Sequence, residues 1–190
     1  MKKPEWYYKP IVVPELSLIQ DEVNKFLPDL MSTQQEIGFY YIKRDQIETL
    51  FPCYTDMLKK MGLIDRWTYS AVIATEGRRE FPIHIDSLDW EDRCFGLNIP
   101  ILNCENSWTV WYDANIDLSP ITDDYDPRSS ARFCSNKNAV ELCRMPASTP
   151  AWINISKPHR PVTEHDNLRA ILSARFSPEV HDILDFAIDR

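Results

Sequence analysis

The sequence predicts a mainly β fold, a sandwich or barrel flanked by helices. Three observations predict it. Seven short β-rich runs follow one another between Trp67 and Phe176, with turn signals and no helical pattern between them. Helical spacing occurs only before and after that region. The 190 residues are 44% hydrophobic and 12% aromatic, so the chain can bury enough apolar surface to offset its conformational entropy. A single domain is expected, with a helical extension over 1–64, a β core over 65–176 and a terminal helix over 177–190.

The elements follow in order. Residues 1–14 carry three prolines and read as an extended arm. Ser17 to Leu27 reads as a helix with Ile19, Val23, Phe26 and Leu27 on one face, and Pro28 is expected to stop it. Glu36 to Lys43 alternates Ile37, Phe39 and Tyr41 and reads as a strand. Arg44 to Met61 returns to helical spacing, with Leu50, Tyr54, Met57, Leu58 and Met61 as its apolar stripe. Pro52 removes a backbone donor and should split that run, and Gly62 should end it. The seven strands are Trp67–Thr75, Glu80–Asp86, Arg93–Leu102, Ser107–Asp113, Ala139–Met145, Ala151–Ile155 and Leu168–Phe176. The polar stretch 114–138 reads as a long surface loop. A last helix opens with Ser177 as N-cap, Pro178 and Glu179, and carries Val180, Ile183, Leu184, Ala187 and Ile188 on one face.

Composition excludes some functions. The formal net charge of −8 argues against a general nucleic-acid or anionic-membrane binder, because both favour basic surfaces. The cysteines Cys53, Cys94, Cys104, Cys134 and Cys143 are odd in number and form no CxxC pair, which favours reduced thiols over a disulfide framework. The N-terminus lacks the apolar run of a signal peptide, and no apolar stretch is long enough to span a bilayer. A cytoplasmic protein is expected.

The candidate chemistry lies in His84, Asp86, His159 and Arg169. His84 and Asp86 are two residues apart, so on a strand they share a face. Together with a second histidine they would form the two-imidazole, one-carboxylate triad that holds a non-haem Fe(II) and leaves positions open. His159 is the expected third ligand, if the strands 151–155 and 168–176 are antiparallel neighbours of the strand ending at Asp86. Taken singly, a His-x-Asp pair also fits a solvated strand end, and His159 a loop. His165 is a rival ligand in what reads as an exposed turn, and His181 reads as a solvated helix residue. Alternation places Arg169, Ile171, Ser173 and Arg175 on one strand face, with Ala170, Leu172 and Ala174 on the other. A buried arginine there needs an anion, either an internal carboxylate or a bound dicarboxylate to which Ser173 adds a hydroxyl. Arg93 is a second candidate for the same task.

The order His-x-Asp, a distant His and an Arg ten positions later resembles the Fe(II)/2-oxoglutarate-dependent dioxygenases. Within that superfamily the sequence most resembles the aspartyl/asparaginyl β-hydroxylase-like branch. The likeness rests on Arg93 nine positions after His84, on Leu97-Asn98-Ile99-Pro100, and on His159-Arg160-Pro161-Val162 through Leu168–Leu172 to Pro178-Glu179. It covers roughly residues 67 to 180. Two positions depart from the branch: Asp86 is present where the animal aspartyl hydroxylase lacks the carboxylate, and Phe95 stands where a histidine is common. The resemblance implies a double-stranded β-helix, the jelly roll shared with cupins. It implies Fe(II) on His84, Asp86 and His159, and 2-oxoglutarate with its far carboxylate on Arg169 and Arg93. It also implies hydroxylation of a small-molecule or peptide substrate with O2.

Three other readings compete. A cupin-like binding protein would use the same barrel without oxygenase activity. A structural jelly-roll protein would assemble and hold no metal. A zinc hydrolase would use the same ligands, but no general base stands out for it. Trp108, Trp111 and Tyr112 read as core before pocket lining, since aromatic residues at strand spacing usually pack inward.

Overall fold

In the computed structural model, the described residues are 5–32, 38–78, 81–86, 95–116, 132–177 and 180. They form β1 (Tyr8–Pro10), α1 (Leu16–Ser32), β2 (Phe39–Ile42), α2 (Arg44–Leu50), α3 (Pro52–Lys60), β3 (Trp67–Thr75) and β4 (His84–Ile85). Then follow β5 (Phe95–Leu102), β6 (Ser107–Asp113), β7 (Arg132–Phe133), β8 (Val140–Pro146), β9 (Ala151–Asn154), β10 (His159–Thr163) and β11 (Arg169–Phe176). The strands make two antiparallel sheets. One has the order β1-β9-β5-β11-β3-β2 and the other β7-β4-β10-β6-β8. This is the double-stranded β-helix architecture, with its helices on one side.

The six-stranded sheet is buried on both faces, and its alternation sorts the side chains. Val72 and Ala74 on β3, Leu97 and Ile99 on β5, and Ala170, Leu172 and Ala174 on β11 share one face. They pack against Ile19, Val23 and Leu27 of α1 and Tyr54, Met57 and Leu58 of α3 in one hydrophobic core. The opposite face carries Arg169, Ile171, Ser173 and Arg175 and looks toward the second sheet. There Ala151 and Ile153 of β9 meet Trp111 and Met145 in a smaller core. Trp111 is fully buried and its Nε1 donates to the Asn154 carbonyl at 2.9 Å, so it buttresses the core and lies outside the cavity wall.

Several expectations need correction. Helix α1 continues through Pro28 to Ser32. Pro28 is exposed, so the carbonyl it leaves without a donor can be solvated. On β2 the buried residues are Tyr40 and Ile42, while Phe39 and Tyr41 are exposed. The arm at the N-terminus contains the edge strand β1, paired with β9. His159 does not sit in a loop but opens the strand β10, although Pro161 interrupts its donors. The loop 114–138 contains β7 and a bridge between Ile116 and Cys134; its residues 117–131 lie outside the described set. So do Arg93, Cys94 and the terminal helix apart from Ser177 and Val180. The split at Pro52 and the end at Gly62, whose φ is +69°, are as the sequence predicts. Among the described residues no helix is long and apolar enough to cross a membrane.

Candidate metal and carboxylate site

Strand β4 is only two residues long, and its neighbours hold it in place. Ile83 and Ile85 bury their side chains with Cys134, and the Cys134 amide donates to the Ile83 carbonyl at 2.7 Å. The Asp86 amide donates to the Ile155 carbonyl at 2.9 Å, tying the end of β4 to the turn after β9. His159 opens β10 directly opposite His84 on one side and Trp111 on the other. The strands 151–155 and 168–176 both belong to the six-stranded sheet and are not neighbours of β4. His159 therefore meets His84 by a route the sequence did not suggest: it sits on a strand of its own.

The two imidazoles are held alike. His84 Nδ1 lies 2.9 Å from the Pro82 carbonyl, and His159 Nδ1 lies 2.9 Å from the Lys157 carbonyl. A carbonyl can only accept, so each Nδ1 carries a proton, and in the neutral imidazole Nε2 is the atom that offers a lone pair. Those Nε2 atoms lie 3.4 and 3.9 Å from Asp86 Oδ1. One ligand atom from each residue falls within 4.8 Å of the others. Two ligands about 2.1 Å from one ion at a right angle stand about 3 Å apart, so this set can close on a single divalent cation with little movement. His165 lies elsewhere, bonded through Nε2 to the Asn103 carbonyl at 2.9 Å, and takes no part in the cluster.

Charge supports this arrangement. Burial opposes ionisation of Asp86, but the Arg175 guanidinium and the two histidines hold its carboxyl well below the usual carboxylate range. Burial, with His84 alongside, pushes His159 down to about 4 and keeps it neutral. Burial also opposes charge on His84, yet the Asp86 carboxylate prevails and raises it. A neutral imidazole and an ionised carboxylate are the forms that bind metal, so charge favours them at His159 and Asp86, while His84 would give up its proton to a cation.

Arg169 is 2% exposed and lines the same cavity as the triad, with Thr109, Pro161 and Ile171 beside it. Its Nε is buried without a hydrogen-bond partner, and among the described residues no carboxylate pairs with it. Burial lowers its pKa, and the nearby Cys104 thiol is its polar neighbour. An internal salt bridge is thereby absent for Arg169 among these residues. Ser173 lines the cavity too, but its hydroxyl is engaged: it donates to Asn98 Oδ1 at 2.6 Å and accepts from Arg175 Nη1 at 2.6 Å. Arg175 is the residue the sequence reading passed over. Its Nη2 donates to Asp86 Oδ2 at 2.7 Å. Strand alternation already placed it on the face of Arg169, which was the available signal.

No protein-family model matches the sequence, and no curated protein matches it. Solved structures do. A prolyl hydroxylase from Trichoplax adhaerens, in complex with a hypoxia inducible factor oxygen degradation domain peptide, shares 14% identity at a TM-score of 0.50. The match covers 93% of this chain and 86% of that one. A prolyl-4-hydroxylase from Pseudomonas putida shares 12% identity at a TM-score of 0.48, over 90% and 91% of the two chains. SnoK, a non-haem α-ketoglutarate-dependent carbocyclase from nogalamycin biosynthesis, shares 13% at 0.48, over 90% and 78%. At 14% identity the likeness to the Trichoplax enzyme is one of fold, the double-stranded β-helix.

Proposed function

We propose that this chain is an Fe(II)- and 2-oxoglutarate-dependent oxygenase that hydroxylates a C–H bond of a small-molecule or peptide substrate. The observation that carries the reading is the pairing, in one cavity, of a His-Asp-His cluster with a buried arginine that lacks a carboxylate partner among the described residues. His84, Asp86 and His159 would hold the metal, each through an atom already turned toward the others. Arg169 would hold the far carboxylate of the co-substrate by two parallel hydrogen bonds, which supplies its missing anion. Arg93, outside the described residues, is kept as a second contact on the strength of the branch resemblance. Ser173 would stiffen the same wall through Asn98 and Arg175. When bound, the iron and 2-oxoglutarate supply an O2-driven C–H hydroxylation, with succinate and CO2 as co-products.

The protein's own residues do the positioning. The backbone carbonyls of Pro82 and Lys157 fix the imidazole tautomers. Phe39, Ile73 and Phe81 add apolar lining to the cavity and would meet the substrate. Titration of the metal-free protein with Fe(II) and 2-oxoglutarate without oxygen tests this. The expected result is a weak visible charge-transfer band that Arg169→Ala abolishes while iron still binds. Iron binding without the band would mean a metal-holding barrel with other chemistry, the cupin-like alternative.

A further inference from the structure

We propose that Arg175 is a positioning residue that restricts Asp86 to one oxygen as a metal ligand, and that Gly96 is a glycine to make room for it. The inference rests on the metal-site reading above. The two oxygens of Asp86 face different partners. Oδ1 faces the Nε2 atoms of His84 and His159. Oδ2 accepts from Arg175 Nη2 at 2.7 Å. A carboxylate with both oxygens free could chelate a cation and take two of its positions. With Oδ2 committed to a guanidinium, Asp86 takes one, and a six-coordinate ion on this triad keeps three positions for other ligands.

Arg175 is itself held. Its Nη1 donates to Ser173 Oγ at 2.6 Å and to the Ala174 carbonyl at 3.1 Å, and Ser173 Oγ donates to Asn98 Oδ1 at 2.6 Å. The path runs from Asn98 on β5, through Ser173 and Arg175 on β11, across the gap between the sheets to Asp86. Thus a ligand at the end of a two-residue strand is tied to an eight-residue strand in the middle of the larger sheet. Only a planar fork with several donors can reach all three acceptors at once. Lysine carries the charge but not that geometry.

Gly96 stands directly opposite Arg175 in the β5–β11 register. A Cβ built there would lie 2.5 Å from Arg175 Nη1 and 3.1 Å from Cζ. Any larger residue would push the guanidinium out of its place. Two independent features, the hydrogen-bond path and the missing Cβ, therefore converge on the same side chain.

The test uses Mn(II), which reports its bound waters through solvent proton relaxation. The whole chain, Arg175→Gln, Arg175→Lys and Gly96→Ala are compared, with circular dichroism as a check on folding. Wild type is expected to bind Mn(II) with three coordinated waters. Arg175→Gln is expected to bind about 10–100-fold more weakly, as happens when outer partners of metal ligands are removed, and to hold fewer waters because Asp86 Oδ2 loses its guanidinium and can turn to the cation. Gly96→Ala, which keeps the arginine but displaces it, should shift affinity and water count the same way. Arg175→Lys should restore part of the affinity but not the water count. Wild-type affinity and water count in both folded Arg175→Gln and Gly96→Ala would overturn the inference alone. Failure of wild type to bind Mn(II) would overturn it together with the metal-site reading.

Discussion

At the scale of single residues, the cost of this site falls on Arg169. The residue is 2% exposed, and its Nε lies buried with no hydrogen-bond partner. An unmatched buried polar group costs on the order of 1–3 kcal/mol, more when it is charged. Arg169→Met keeps the length and removes the charge. It should stabilise the ligand-free protein by roughly 1–3 kcal/mol, seen as a higher Tm, since apolar replacements of buried ions often stabilise. A small dicarboxylate should raise the Tm of wild type, by mass action on the folded state, and leave that of Arg169→Met unchanged. A variant less stable than wild type would show that the arginine is satisfied in the ligand-free fold. The residue pattern was legible to this depth: His84, Asp86, His159 and Arg169 were all named from spacing and resemblance, and they do line one cavity. For Arg175 alternation gives the strand face but not the partner, which lies 89 positions away in Asp86.

At the scale of elements, the strands that bury both faces were the easiest to read and the short ones the hardest. Trp67–Thr75 and Ser107–Asp113 appear with the bounds that their β-branched and aromatic runs predict. Strand β10, His-Arg-Pro-Val-Thr, has a proline at its centre and mostly half-buried positions, so neither propensity nor alternation marks it. Its order comes from the neighbouring β6, with which it shares five paired positions. The strand β2 shows a different constraint. Gly38, just before it, has φ +37°, and its carbonyl accepts from the Ala74 amide at 2.9 Å. A Cβ there would lie 1.6 Å from the Ala74 carbonyl oxygen, a backbone atom that cannot step aside. Gly38→Ala should therefore cost more than about 3 kcal/mol, combining backbone strain with loss of the β2–β3 pairing. Urea unfolding measures it, and a loss below about 1 kcal/mol would show that β2 can detach cheaply.

At the scale of the whole molecule, two sheets divide the labour: the larger, backed by helices, supplies stiffness and Arg169, and the smaller carries His84 and His159 of the His-Asp-His cluster on its strands. The two layers also bury groups that must remain neutral. Burial raises the Cys134 thiol from about 9 to about 11, and burial raises the Tyr54 phenol despite its hydrogen bond to Ser70 Oγ at 2.7 Å. Both groups have folded pKa values above their unfolded ones. Their stabilising effect is thus complete below the unfolded values and is lost as pH rises toward the folded ones. For Cys134 that window runs from about pH 9 to about pH 11. Unfolding free energy should be flat across neutral pH as far as these two groups are concerned and fall progressively above pH 9. Cys134→Ala should remove the thiol's share of the slope between pH 9 and 11, at some cost in packing. Denaturant titrations at pH 8, 9.5 and 11 decide the matter: parallel slopes for wild type and Cys134→Ala would mean that the thiol ionises as easily in the folded chain as in the unfolded one, and that the layer around Ile83 and Ile85 admits water.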